Sequence, residues 1–82
     1  MPTEDYKPPV QRVEGKYANY FKVGHNEFEF VLDFAQSYSD KPEDKAHTRI
    51  ITSPAYAKEL FAVLQHALTD YEREFGSIPG RE

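Results

Sequence analysis

The stretch from Arg49 to Gly76 constrains this chain more than any other. It reads as a short strand that turns directly into one long helix. Ser53 supplies a hydroxyl that accepts from the free N–H groups of a first helical turn. Pro54 suits the first helical position, where no N–H is needed and φ is already near the helical value. Gly76 falls where a residue of positive φ closes a helix, and Pro79 blocks a restart. The predicted helix runs from Pro54 to Phe75, about 33 Å at 1.5 Å per residue. That is long for a chain of 82 residues.

The helix is amphipathic. Ala57, Leu60, Phe61, Leu64, Ala67, Leu68, Tyr71 and Phe75 recur at helical spacing and form an apolar stripe, which Tyr56 and Val63 widen. Lys58, Glu59, Gln65, Thr69, Asp70, Arg73 and Glu74 occupy the opposite face, with the small Ala62 among them. Such a broad arc exceeds what one small sheet needs. It asks for a second partner, most simply another copy of the chain, so a homodimer is expected.

Length sharpens this expectation. Eighty-two residues allow one domain, and a core of that size is marginal without disulfides, metal or self-association. The absence of cysteine removes disulfides and thiolate metal sites and leaves association. It also fits a cytoplasmic location. No apolar run approaches the roughly 20 residues of a membrane span, and the stretch Met1 to Pro9 lacks the basic and apolar regions of a signal peptide. A formal charge of −4 argues against general affinity for nucleic acid or anionic membrane, and no Lys/Arg cluster is visible.

Earlier segments look like a surface for the helix. Residues 1–15 are polar and proline-bearing and read as a flexible arm, in which Val10 and Val13 are candidates to dock as an edge strand. Lys16–Val23 and Phe28–Gln36 read as strands dense in aromatic and β-branched residues. Gly24-His25-Asn26-Glu27 between them reads as a tight turn. Closing the hairpin there places Val23 opposite Phe28, Phe21 opposite Phe30, Asn19 opposite Leu32 and Tyr17 opposite Phe34, with Lys22 facing Glu29 on the other side. Ser37 to Ala46 is a polar loop, and His47–Thr52 is the third strand. The expected fold is α+β: a three-stranded antiparallel sheet in β-β-β-α order packed by one long C-terminal helix, dimeric, with one domain over residues 16–78 and a tail over 79–82. The uncovered sheet face keeps Tyr20, Val31 and one of Ile50 or Ile51 at the surface, which suggests that something covers it.

Several short motifs taken together resemble a known family. They are Tyr17-Ala18-Asn19, Glu29-Phe30-Val31-Leu32-Asp33-Phe34, Arg49-Ile50-Ile51-Thr52-Ser53-Pro54, Ala57-Lys58, Tyr71-Glu72 and Phe75-Gly76. In order and spacing they are similar to Domain of Unknown Function 3467, a family of small prokaryotic proteins. The resemblance covers about Tyr17 to Ile78. It implies the domain boundaries and carries no assigned activity, cofactor or catalytic residue.

Polar residues with chemical potential each have a structural reading. Asp33 and Arg49 lie on strands expected to be neighbours; a cross-strand ion pair or an interchain contact competes with an arginine presented to a carboxylate or phosphate ligand. Asn19, predicted on the apolar face, is expected to bond backbone near a strand end or the start of the helix. His25, His47 and His66 are scattered without metal-ligand spacing. Glu29 and Asp33 are about 13 Å apart along a strand, unsuited to paired acid–base work. The glycines form no phosphate-cradling loop, and no nucleophile elbow occurs. Aromatic residues read as core rather than as a base-stacking platform. No catalytic residue, cofactor or metal is therefore expected.

The function expected is that of a small cytoplasmic, non-catalytic module: a homo-oligomer that binds another protein, with no membrane partner. The candidate interaction residues are Tyr20, Val31, Asp33, Arg49, Tyr56 and Val63. One alternative is a nucleic-acid-associated regulator that gathers Lys16, Lys22, Arg49 and Lys58 on a dimer. Another is chaperone-like binding of extended peptides on an open sheet face.

Overall fold

The computed structural model describes residues 13–38 and 45–80. Val10 and the arm as far as residue 12, positions 39–44 of the polar loop, and the last two residues lie outside the described residues. Three strands, β1 (Tyr20–His25), β2 (Phe30–Ala35) and β3 (Thr48–Thr52), precede one helix, α1 (Pro54–Phe75). The strands form an antiparallel sheet in the order β1-β2-β3. The α+β class and the β-β-β-α order are those expected. The described residues fall into two compact units, 13–57 with the sheet and 58–80 with most of the helix.

Within the sheet unit the hairpin register departs from expectation. Phe21 faces Phe34, Val23 faces Leu32, and His25 faces Phe30. The β1 residues from Tyr20 to Val23 thus each meet a partner four positions later than expected, and Gly24 and His25, expected in the turn, are paired as well. Lys22 accordingly faces Asp33 rather than Glu29. Gly24 is not in the turn but within β1, opposite Val31. The turn is built instead by Asn26. Its backbone N–H donates to the Glu29 carbonyl at 3.0 Å. Its side-chain Oδ1 accepts from the N–H groups of Phe28 at 2.7 Å and Glu29 at 2.8 Å. One amide oxygen thus satisfies two donors that the reversal leaves free, which holds the turn there. Phe28, expected on the apolar face, sits in this turn and is 73% exposed. Tyr17, expected in the first strand, precedes it.

Successive residues of a strand point to opposite sides, so the pairings define two faces. Phe21, Val23, Phe30, Leu32, Phe34 and Ile50 share one. Phe21 and Phe34 meet edge to face at 5.8 Å, and the His25 and Phe30 rings stack at 5.2 Å. Tyr20, Lys22, Val31, Asp33, Ala35, Arg49 and Ile51 share the other. Asn19 extends the ladder: its N–H donates to the Ala35 carbonyl at 3.0 Å.

The helix begins and ends where its caps dictate. Ser53 Oγ accepts from the Tyr56 N–H at 3.1 Å, and the Ser53 carbonyl accepts from the Ala57 N–H at 2.8 Å. Gly76 takes φ of 97° and donates to the Glu72 carbonyl at 2.9 Å. The chain then turns back on the helix, where the Ile78 N–H donates to Glu72 Oε2 at 2.8 Å.

Burial is slight in both units. Ala35 is the one hydrophobic residue buried among those described, and α1 contributes none. Phe21, Val23 and Ile51 in the sheet, and Phe61 and Phe75 in the helix, each keep more than half of their surface open to solvent.

Candidate interaction site

The antiparallel register places four of the sequence-predicted residues, Tyr20, Val31, Asp33 and Arg49, on one sheet face. Asp33 holds the middle of a charged row, with Lys22 opposite it on β1 and Arg49 opposite it on β3. The guanidinium engages the carboxylate through both arms of its fork: Nε donates to Oδ1 at 2.7 Å and Nη2 to Oδ2 at 2.8 Å. This two-point geometry is the strongest form of the pair. The hydrogen bond from Arg49 holds the Asp33 carboxyl below its usual range; desolvation opposes that shift, and the positive charges of Arg49 and Lys22 reinforce it. Arg49 is shifted upward by the same bond. The Asp33 side chain retains 19% of its exposure and that of Arg49 retains 62%. The pair therefore lies on the sheet surface with its bonding directed inward to itself.

Apolar residues border this row. Val31 sits between Gly24 and Ile51, and Tyr20 sits opposite Ala35. Tyr20 and Val31 are half-buried, and Ile51 is exposed. Tyr56 and Val63, the remaining sequence-predicted residues, lie on α1 and are exposed. Of the basic residues considered for nucleic acid, Lys22 and Arg49 flank Asp33, and Lys16 Nζ lies 3.7 Å from a Glu14 carboxylate oxygen.

Other polar side chains hold the backbone. Asn19 takes the expected structural role. Its Nδ2 donates to the Ser37 carbonyl at 3.0 Å, and its Oδ1 accepts from the Ser37 N–H at 2.7 Å. The His47 ring nitrogens lie 2.7 Å from Thr48 Oγ1 and 3.0 Å from the Tyr17 carbonyl oxygen, and the His47 backbone N–H donates to the Phe34 carbonyl. On α1, Asp70 pairs with His66 at 3.3 Å and Arg73 at 2.9 Å. Among the described residues no group of three or more His, Asp or Glu is placed to hold a metal, and no helix is long and apolar enough to cross a membrane.

Sequence reasoning missed one feature, a groove of about 390 Å³ on the helical unit. Phe61, Leu64, Gln65, Leu68, Glu72 and Ile78 line it. Its signal was present in two parts. One is the spacing of Phe61, Leu64 and Leu68 beside Gln65 and Glu72. The other is the glycine turn that returns Ile78 to the helix.

No curated protein and no solved structure matches this chain. Residues 4–79 match the family described as protein of unknown function (DUF3467), and with nearly its whole length covered the chain belongs to that family.

Proposed function

We propose that this chain is a non-catalytic interaction module of the cytoplasm that acts as a homo-oligomer and binds another protein through its apolar surfaces. One observation carries the reading: α1 spans 22 residues without a buried one, although Leu60, Phe61, Leu64, Leu68, Tyr71 and Phe75 lie in one apolar arc. Contiguous apolar surface of this kind, rimmed by charge, marks an interaction site. The sheet adds Phe21, Val23 and Ile51, each more than half exposed. Complete burial of such a side chain stabilises by about 1.5–3 kcal/mol, which offsets part of the cost of association and supports a covering chain.

The polar row supports the same reading. Both Asp33 oxygens are engaged by Arg49, which leaves the pair suited to fixing the β2–β3 register and the polarity of a contact surface. Lys22 and Arg49 share a carboxylate neighbour rather than forming a bare basic patch, which favours a protein partner over nucleic acid. A cysteine-free sequence suits the cytoplasm.

Sedimentation velocity on the purified full chain, followed by native mass spectrometry of the protein drawn gently from its host, tests the proposal. The expected result is a dimer or small oligomer at micromolar concentration that carries an additional protein when isolated from cells. A monodisperse monomer with no bound protein overturns it.

A further inference from the structure

The exposed seam of α1 has a finer pattern than a broad stripe. Ala57, Phe61, Leu64, Leu68, Tyr71 and Phe75 follow one another at alternating intervals of four and three residues, the repeat by which one helix packs along another. From Phe61 to Phe75 every large member of this seam remains 45–66% exposed. Lys58, Gln65 and Glu72 run along one side of the seam, seven residues apart. The groove of about 390 Å³ opens on that same side, since Phe61, Leu64 and Leu68 line it together with Gln65 and Glu72.

We infer that this seam is the dimer interface, and that two copies of α1 pair on it in antiparallel orientation. The inference rests on the self-association proposed above and specifies its surface. Charge and size decide the orientation. In an antiparallel pair centred on Gln65, Lys58 of one copy comes beside Glu72 of the second, and the two-fold axis repeats that contact. The two Gln65 side chains meet at the axis. Leu64 then layers with Leu68 of the second copy, Phe61 with Tyr71, and the small Ala57 with the large Phe75. Tyr71 and Phe75 already pack at 5.0 Å within one chain, so the incoming Phe61 completes an aromatic cluster at each end. A parallel, in-register pair would put Phe75 against Phe75 and Ala57 against Ala57, mismatching the layers, and would leave Glu72 facing Ala67 without a cation. Antiparallel pairing also sets each positive helix N-terminus beside a negative C-terminus. Within one chain Lys58 and Glu72 are separated by about 21 Å of helix, so only a second copy brings them together.

Charge reversal on the full chain tests this. Lys58→Glu and Glu72→Lys each place like charges together twice per dimer and are expected to raise the dissociation constant about three- to tenfold. The double variant Lys58→Glu/Glu72→Lys is expected to restore it. Glu72→Lys also removes the acceptor of the Ile78 N–H. A second measurement that does not rest on it uses the cysteine-free sequence: Lys58→Cys and Glu72→Cys chains, mixed and oxidised, are expected to form the mixed disulfide in preference to either symmetric one. If the chain self-associates but neither reversal weakens it and the mixed disulfide does not form, the interface lies elsewhere and this inference fails alone. A chain that stays monomeric throughout overturns it together with the reading beneath it.

Discussion

Asp33 and Arg49 face each other across β2 and β3, and the guanidinium takes both carboxylate oxygens at 2.7 and 2.8 Å. The bond, aided by the charges of Arg49 and Lys22, depresses the Asp33 pKa. A depressed carboxylate contributes stability that is present above its unfolded pKa and lost as pH falls through its folded one. Arg49→Ala is therefore expected to lower stability modestly at neutral pH, with the gap closing in acid as Asp33 protonates. Carboxyl NMR should show Asp33 titrating higher in the variant. Urea denaturation over an acid pH series should show the two curves converging, and a gap that persists unchanged below the Asp33 transition would count against this account.

Asn19 clamps the segment after β2 through its side chain, giving to the Ser37 carbonyl and accepting from the Ser37 N–H. Both bonds are partly buried, and each contributes about 0.5–1.5 kcal/mol. Asn19→Ala is expected to cost about 1–3 kcal/mol in urea denaturation and to expose the Ser37 amide to hydrogen exchange. Asn19→Asp keeps the acceptor and loses the donor, so it should fall between the two and worsen where the carboxylate is charged. Equal stability of all three proteins would mean that the clamp is dispensable.

The helix was legible to the residue because its ends are set by local chemistry: Ser53, Pro54 and Gly76 act on backbone groups within a few positions. The strand count and the sheet faces were legible for a similar reason, since alternation marks which residues share a side. The hairpin register was not. Pairing Val23 with Phe28 and pairing it with Leu32 differ by four positions, an even shift that keeps every side chain on the same face. The apolar pattern cannot distinguish the two registers, so the turn decides. Gly24 drew the reading toward itself, whereas the Asn26 side chain supplies the bonds. The Asp33–Arg49 pair was visible as two charges in apolar strands; its two-point geometry required the register. The groove required knowing that the chain returns Ile78 to the helix after Gly76.

Asn26 therefore carries a prediction about the whole hairpin. Its Oδ1 serves the N–H groups of Phe28 and Glu29, in an exposed turn. Asn26→Ala is expected to cost about 1 kcal/mol and to speed exchange at those two amides. Asn26→Asp retains the acceptor and should recover most of the loss. Gly24→Ala should be mild by comparison, because Gly24 lies in a strand and an added Cβ there meets no atom within 4 Å. If Gly24→Ala instead proved the more damaging, the turn would sit where sequence alone had put it.

The two ends of α1 predict different costs from different causes. Ser53→Ala removes the oxygen that accepts from the Tyr56 N–H, and loss of such a cap costs about 1 kcal/mol. Gly76 is held at φ of 97° with open space around an added Cβ. Gly76→Ala therefore suffers no clash with a neighbour, only the backbone penalty of an L-residue in the left-handed region, about 1–2 kcal/mol. Gly76→Asn should recover part of it, because asparagine tolerates that region. Thermal melts followed at 222 nm give the ranking directly. The seam pairing adds a second expectation: if the α1 seam holds a dimer, Gly76→Ala should also weaken association, because a distorted C-terminal turn displaces Ile78 and the Glu72 carboxylate that receives its N–H. Ser53→Ala, which is not among the residues lining the groove, should lower the melting temperature and weaken association less than Gly76→Ala does.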